Sequence, residues 1–310
     1  MIFLCGIAGI YNKQVEPVVE NLFKMLKSLQ HRGTDSAGLA FYRKMLLEPD
    51  EYLLFLDSID LPGTGAKVSS AIAEAGGNIR DVHYRLHSGY GLDDYIVATS
   101  REKLTELARK INGTERARVL SFGKGMTILK EIGEVENLQK IYGETFSLRD
   151  RGMVVTHGIG HVRFSTESVV DKHHAHPFQA GFPDIAIVHN GQITNDGKIR
   201  EWLKTRRHIF ESENDSELIV HYIVDRMENG FSLEEALAQS VEELDGPFAY
   251  IISTPNAIGM ARDRLGLRPM VVAEGSNVMA VASEECALRE ILENPTVHHL
   301  PPASVKVFNP

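Results

Sequence analysis

The chain opens on an almost unbroken apolar run, Met1-Ile-Phe-Leu-Cys5-Gly-Ile-Ala-Gly-Ile-Tyr11, which gives way at once to polar Asn12-Lys13-Gln14. A short apolar run bounded by polar residues reads as a strand buried on both faces, so residues 2–11 are expected to lie inside a layered core. A cysteine followed by glycine sits within that strand. If Met1 to Leu4 are removed, Cys5 becomes an N-terminal nucleophile that carries its own base. A freed α-amine titrates at about 7.7–8.0 and a thiol at about 8.5, so near neutral pH the amine can take the thiol proton. The competing reading is an inert cysteine packed among Ile, Phe, Leu and Ala, because free cysteine is among the most buried residue types.

At 310 residues and 43% hydrophobic, the chain has the composition of an ordinary globular protein with enough apolar residues for one large core or two smaller ones. Its 33 basic and 42 acidic residues leave a net charge of −9, which argues against a nucleic-acid partner and toward a protein or a small metabolite. Two cysteines, Cys5 and Cys286, make neither a disulfide framework nor a paired metal-ligand spacing, and they fit a reducing, cytoplasmic compartment. The apolar start lacks a basic flank and is broken by Gly6 and Gly9, so it reads neither as a signal peptide nor as a membrane span.

Val15, Val18, Val19, Leu22, Phe23, Leu26 and Leu29 recur at helical spacing until Gly33 stops the pattern, so a helix delivers His31 and Arg32 to a loop. Ser36 to Tyr42 reads as a strand. From 46 to 150 the chain changes character, with strand, helix, strand, strand, helix, strand in the order βαββαβ, the ferredoxin-like arrangement. This stretch is expected to be an inserted subdomain, and residues 1–45 with 151–310 to form the main domain. Helices are expected at 198–205, 216–228 and 232–244, with strands at 248–254, 257–262, 270–274, 278–282 and 304–308. Strands at both ends flanking helices point to a mixed α/β (α+β) fold, two sheets face to face with helices outside in four αββα layers.

Five segments carry the chemistry: Cys5-Gly6-Ile7, Gln30 to Gly38, Gly160 to Thr166, Val188-His189-Asn190-Gly191 and Asn214-Asp215-Ser216-Glu217. In identity and order they resemble the class II glutamine amidotransferases, whose glutaminase domain is an N-terminal-nucleophile (Ntn) hydrolase fold. The resemblance implies that the chain hydrolyses the side-chain amide of L-glutamine, with Cys5 as the nucleophile. It implies that Arg163 binds the substrate α-carboxylate, which a planar guanidinium fork suits, and that Asp215 binds the α-ammonium. Read alone, Arg163 fits a surface ion pair and Asp215 a helix N-cap equally well. The Asn190 side-chain amide and the Gly191 N–H are implied as oxyanion donors, although Asn-Gly is also the strongest short turn signal. Arg32 is implied to hold the site near the nucleophile, and Thr166 and His189 to line the glutamine pocket. His161, His173, His174, His176 and His189 invite a metal reading, but their spacing is irregular and no cysteine joins them, so no metal is expected. Asp263 in Ala261-Arg-Asp-Arg-Leu-Gly-Leu-Arg-Pro269 is expected to be structural.

No phosphoribosyl, sugar-isomerase or ATP-binding motif accompanies these segments, so the resemblance points to a stand-alone subunit, with homo-oligomers possible. The runs from Phe164 to Ser168, His174 to Phe178 and Phe210 to Glu217 are most similar to the separate amidotransferase subunits of glutamate synthase-type complexes, including N-methylglutamate synthase. By that likeness the ammonia passes to a partner synthase that carries flavin and iron–sulfur centres, cofactors this chain does not supply: two cysteines cannot ligate a four-cysteine cluster. Cys5 is not residue 2, so methionine removal alone does not expose it. The alternative reading is a silent regulatory or scaffolding subunit with a blocked Cys5.

Overall fold

The computed structural model describes residues 5–12, 17–87, 89–146, 153–164, 171–172, 174–210 and 212–309. In chain order the first elements are β1 (Gly6–Asn12), α1 (Val18–Ser28), β2 (Ser36–Arg43), β3 (Glu51–Ile59), α2 (Thr64–Glu74), β4 (Asn78–His83), β5 (Leu86–His87) and β6 (Tyr90–Ala98). They continue with α3 (Leu104–Asn112), β7 (Ala117–Gly123), β8 (Met126–Ile132), α4 (Val135–Thr145), β9 (Val155–Arg163), β10 (Ala186–Gly191), α5 (Asp196–Thr205), α6 (Asp215–Glu228) and α7 (Leu233–Glu243). The chain closes with β11 (Phe248–Thr254), β12 (Ala257–Arg262), β13 (Val271–Glu274), β14 (Val278–Ala282), α8 (Glu285–Arg289), β15 (Val297–His299) and β16 (Ser304–Phe308).

Two antiparallel sheets form the centre. One has the order β15-β13-β14-β1-β9-β2-β8 and the other β10-β11-β12-β16. Strand β1 lies inside the larger sheet, between β9 and β14, which is why its residues are apolar on both faces. Alternation sorts them: Ile7 and Tyr11 face the second sheet, and Ala8 and Ile10 face the helices. Between the sheets, Ile7, Ile128, Ile159, Val188, Ile251 and Met260 share one buried cluster. Outside the larger sheet, α1, α4 and α8 bury Leu22, Leu26, Leu138 and Leu288. Outside the smaller, α5, α6 and α7 bury Leu203, Tyr222 and Leu237. The layers are therefore α, β, β, α, as the order of elements predicts.

A third sheet, β4-β6-β3-β7, is antiparallel throughout, with β5 on β6. Helices α2 and α3 cover one face through Val68, Ile72, Leu107 and Ile111. Its strand order is that of a ferredoxin-like βαββαβ unit. The chain leaves this sheet at Gly123, and β8 and α4 then join the larger central sheet, with β8 pairing β2 from Ser36↔Ile132 to Tyr42↔Met126. Neither element was expected from the sequence. No helix among the described residues is long and apolar enough to cross a membrane.

Polar clamps join the third sheet to the centre. Arg43, at the end of β2, forks both oxygens of Asp94 on β6 at 2.7 Å, and Arg85 adds a contact at 2.8 Å. Burial alone would push the Asp94 carboxyl up, but the two guanidiniums outweigh it and hold it below the ordinary range. Asp184 accepts the backbone N–H groups of Lys124, Gly125 and Met126 in the turn between β7 and β8. Gln179 closes on the backbone of Phe122 through both ends of its amide. Removing a buried carboxylate leaves its donors unsatisfied, so Asp184→Ala should cost about 2–4 kcal/mol. Guanidinium unfolding would show it, and a loss below about 1 kcal/mol would remove Asp184 from the account of this joint.

Candidate active site

Strand β1 begins directly after Cys5, and four segments converge on that residue. The Cys5 carbonyl accepts from Arg32 Nε at 2.9 Å and from Asn190 Nδ2 at 2.8 Å. Arg32 lies in a single 3₁₀ turn, Gln30–Arg32, that follows α1. Its guanidinium also pairs with Glu284, whose other oxygen lies 3.1 Å from His31 Nε2. Glu284 follows β14, and its neighbour Ser283 is tied to β1 by an Ile7 N–H to Ser283 Oγ bond of 3.0 Å. The arginine that holds Cys5 is therefore held by the strand beside β1. These two anchoring residues, Ser283 and Glu284, were not found by reading the sequence.

The thiol lies against the end of β9. Phe164 N–H donates to Cys5 Sγ at 3.4 Å, and the thiol faces the Phe164 carbonyl at 3.5 Å. Burial pushes the thiol pKa up, and the Phe164 N–H with the charges of Arg163, Arg32 and Arg268 offsets part of that rise. The site thus keeps Cys5 as the thiol, while the Phe164 N–H and the three guanidiniums reduce the cost of forming the thiolate. Gly33 allows this packing: a Cβ there would fall 2.4 Å from the Arg163 carbonyl carbon.

A cavity of about 690 Å³ opens above the thiol. Cys5, Arg163, His189, Gly191 and Asp215 all line it. Arg163 is buried at the end of β9. Gly191 ends β10 with φ +138°, and a Cβ there would fall 2.0 Å from the Pro247 carbonyl oxygen, so only glycine fits. Asp215 is the first residue of α6, but it is not the cap. Asn214 caps the helix by accepting Ser216 N–H at 2.8 Å, which leaves the Asp215 carboxylate to accept Ile193 N–H at 3.2 Å and to face His189 Nδ1 at 3.4 Å. Burial alone would raise the Asp215 pKa, but His189 and the Ile193 and Ser216 N–H groups outweigh it, so the carboxylate stays ionised. Thr166 lies outside the described residues.

Three histidines floor the cavity. His161 Nε2–H donates to the His189 carbonyl at 3.1 Å, and the His161 and His176 rings stack with centroids 4.2 Å apart. Ser216 Oγ bridges His176 Nε2 at 2.7 Å and His189 Nδ1 at 3.1 Å. Among the described residues, no group of three or more His, Cys, Asp and Glu side chains is arranged to hold a metal ion. Asp263 lies away from the thiol and organises its own loop, accepting Leu265 N–H at 2.9 Å and Leu267 N–H at 3.1 Å.

Residues 161–290 match the glutamine amidotransferase domain family. The chain is 42% identical, over 98% of its length and 99% of the relative's, to a Methanothermobacter thermautotrophicus protein classed as a glutamine amidotransferase. This chain is a member of the glutamine amidotransferase family. Among its other relatives is the glutamine amidotransferase-like protein GlxB of Rhizobium meliloti, 31% identical over 97% of both chains. The amidotransferase fold is that of the solved glutamine phosphoribosylpyrophosphate amidotransferase of B. subtilis, with a TM-score of 0.60 at 20% identity, covering 98% of this chain and 47% of that one. That neighbour is an Ntn-hydrolase amidotransferase.

The amidotransferase core should be acid-sensitive for a stated reason. Burial drives His157 down to about 4 and His161 to about 3, and lowers His176 as well. Unfolded histidines take up protons below about 6.5, whereas these remain neutral, so unfolding takes up protons and stability is lost as pH falls from about 6.5 toward 4 and 3. Each contributes a slope of about 1.4 kcal/mol per pH unit in that window. Urea unfolding at steps between pH 7.5 and 4.5 should show the fall, and His157→Gln should flatten it; an unchanged slope in the variant would refute the assignment.

Proposed function

We propose that this glutamine amidotransferase cleaves the side-chain amide of L-glutamine with Cys5 as an N-terminal nucleophile, and that the ammonia passes to a partner synthase of glutamate synthase type. The observation that supports it best is the sharing of one cavity: the thiol, a buried guanidinium and an ionised carboxylate all face the same space. Arg163 suits the α-carboxylate and Asp215 the α-ammonium of a free amino acid, which leaves the side-chain amide to reach the thiol.

With Met1 to Leu4 removed, the Cys5 α-amine takes the thiol proton and the thiolate attacks the amide carbon. Charge develops on the amide oxygen, where the Asn190 amide and the Gly191 N–H would stabilise it. Asn190 already gives one hydrogen to the Cys5 carbonyl, and its Nδ2 has a second. The tetrahedral intermediate collapses as the α-ammonium returns the proton to the leaving nitrogen. Ammonia departs and a γ-glutamyl thioester remains, which water then hydrolyses to glutamate and the free thiol. Arg32 positions the nucleophile through its carbonyl, and His189 lines the pocket.

Two relatives are matched over 99% and 97% of their own length, so those proteins carry no appended synthase domain. For this chain we read the same division, with the ammonia consumed on another polypeptide. The flavin and iron–sulfur chemistry of such a synthase belongs to that partner.

Ammonia and glutamate release from L-glutamine, on protein whose N-terminal mass is known, tests the proposal. Cys5→Ala should lower turnover on the order of 10³-fold or more. Arg163→Met and Asp215→Asn should each raise KM for glutamine about tenfold to a hundredfold with smaller effects on kcat, as expected for loss of one charged contact. Hydrolysis that survives Cys5→Ala, or that proceeds with residues 1–4 attached, would sink the N-terminal-nucleophile reading.

A further inference from the structure

A second cavity, of about 140 Å³, lies between the third sheet and the amidotransferase core. Asp57 on β3, Ala108 on α3 and Arg118 on β7 form one wall; Lys130 on β8, Lys172 and Gln179 form the other. At roughly 10–15 Å³ of such space per water, it has room for a small organic ion. No step of glutamine hydrolysis uses it.

Its charged groups are unevenly paired. Lys172 is neutralised by Glu131 at 2.8 Å and Asp57 at 3.7 Å. Glu217, which also lines the cavity, is committed to the N–H and Oγ of Ser212 at 2.8 and 2.5 Å. Lys130 has no such partner. Among the described residues no carboxylate stands within ion-pair distance of its ammonium, whose contact is the face of Phe178, 4.8 Å from the ring centroid. Burial and the neighbouring Arg118 lower the Lys130 pKa to about 7, while Asp171 acts in the opposite sense. A cationic group partly buried without a counter-charge at ion-pair distance is costly unless something brings the charge.

We propose that this cavity binds a small anion bearing a carboxylate or a phosphate group, with Lys130 as the residue that pairs with it. The anion would give the Lys130 ammonium the partner that Lys172 already has in Glu131 and Asp57. It would also hold the third sheet to the core through a contact that spans β7 and β8.

Calorimetry on the full chain at pH 7.5, with succinate and inorganic phosphate titrated separately, tests the site and tells the two sources apart. At least one should bind saturably at a single site and with unchanged affinity in Arg163→Met, which excludes the Cys5 cavity as its location. Lys130→Met should weaken that binding about tenfold or more, and Lys130→Arg should retain it. The wild-type chain provides a readout that needs no variant. Pairing raises the Lys130 pKa, so succinate binding should take up protons, seen as a dependence of the heat on the ionisation enthalpy of the buffer. Absence of saturable binding for both anions, equal affinity in Lys130→Met, or succinate binding without proton uptake would each overturn the proposal. Because calorimetry reads binding and not turnover, its result stands whether or not Cys5 hydrolyses glutamine.

Discussion

The site depends on how the Cys5 carbonyl is held. One oxygen accepts from Arg32 at 2.9 Å and from Asn190 at 2.8 Å, and these donors come from opposite sides of the sandwich. Arg32 belongs to the turn after α1, on the outer face of the larger sheet, and Asn190 to β10 in the smaller sheet. The same oxygen thus ties the start of β1 to both layers. Glu284 adds a third point, since it fixes the Arg32 guanidinium from the strand next to β1. A residue at the end of a strand would normally fray. Here its carbonyl is fixed by two donors, so Cys5 takes its position from the sandwich.

The floor of the cavity follows a related logic. Imidazole rings at His161, His176 and His189 form a dry polar layer whose hydrogen bonds run through Ser216 Oγ and the His189 carbonyl. Burial holds the His161 and His176 rings well below the ordinary imidazole range, so these two stay neutral beneath Arg163. Ser216 follows Asp215 directly. The carboxylate beside it is held by the Ile193 N–H and faces His189, and Asn214 takes the capping task that would otherwise occupy Asp215.

Much of this was legible in the sequence because it is written locally. The both-faces-apolar run at Ile7 to Tyr11 implies a central strand, and β1 is one. The alternation of helix and strand patterns from Tyr52 to Ser121 implies a βαββαβ unit, and the third sheet has its strand order. Cys5-Gly6, Asn190-Gly191 and Asp215 could be singled out because each is a short string with its own chemistry. Glu284 and Ser283 could not, since their meaning exists only across a separation of more than 250 residues. Strand β8 escaped notice for another reason. Met126 and Ile128 face the second sheet and Leu129 the helices, so its apolar positions do not alternate cleanly and carry no strand signature of their own.

The two cavities meet at one turn. Ser212 and Glu217 face the smaller, while Asp215 and Ser216 face the larger, and all four belong to the five residues before α6 and its first turn. A second connection runs through rings: Lys130 lies over Phe178, Phe178 meets His176 edge-on with centroids 4.8 Å apart, and His176 bonds Ser216. Close packing transmits small displacements because it leaves no slack to absorb them. A shift of Phe178 toward or away from Lys130 must be taken up by the His176 ring. That ring cannot move without stretching its bond to the Ser216 hydroxyl, which is also a partner of His189 and stands next to the carboxylate facing glutamine's expected place. The histidine floor and the joint between the third sheet and the core are thus linked by direct contacts through Phe178, His176 and Ser216, the residue next to Asp215.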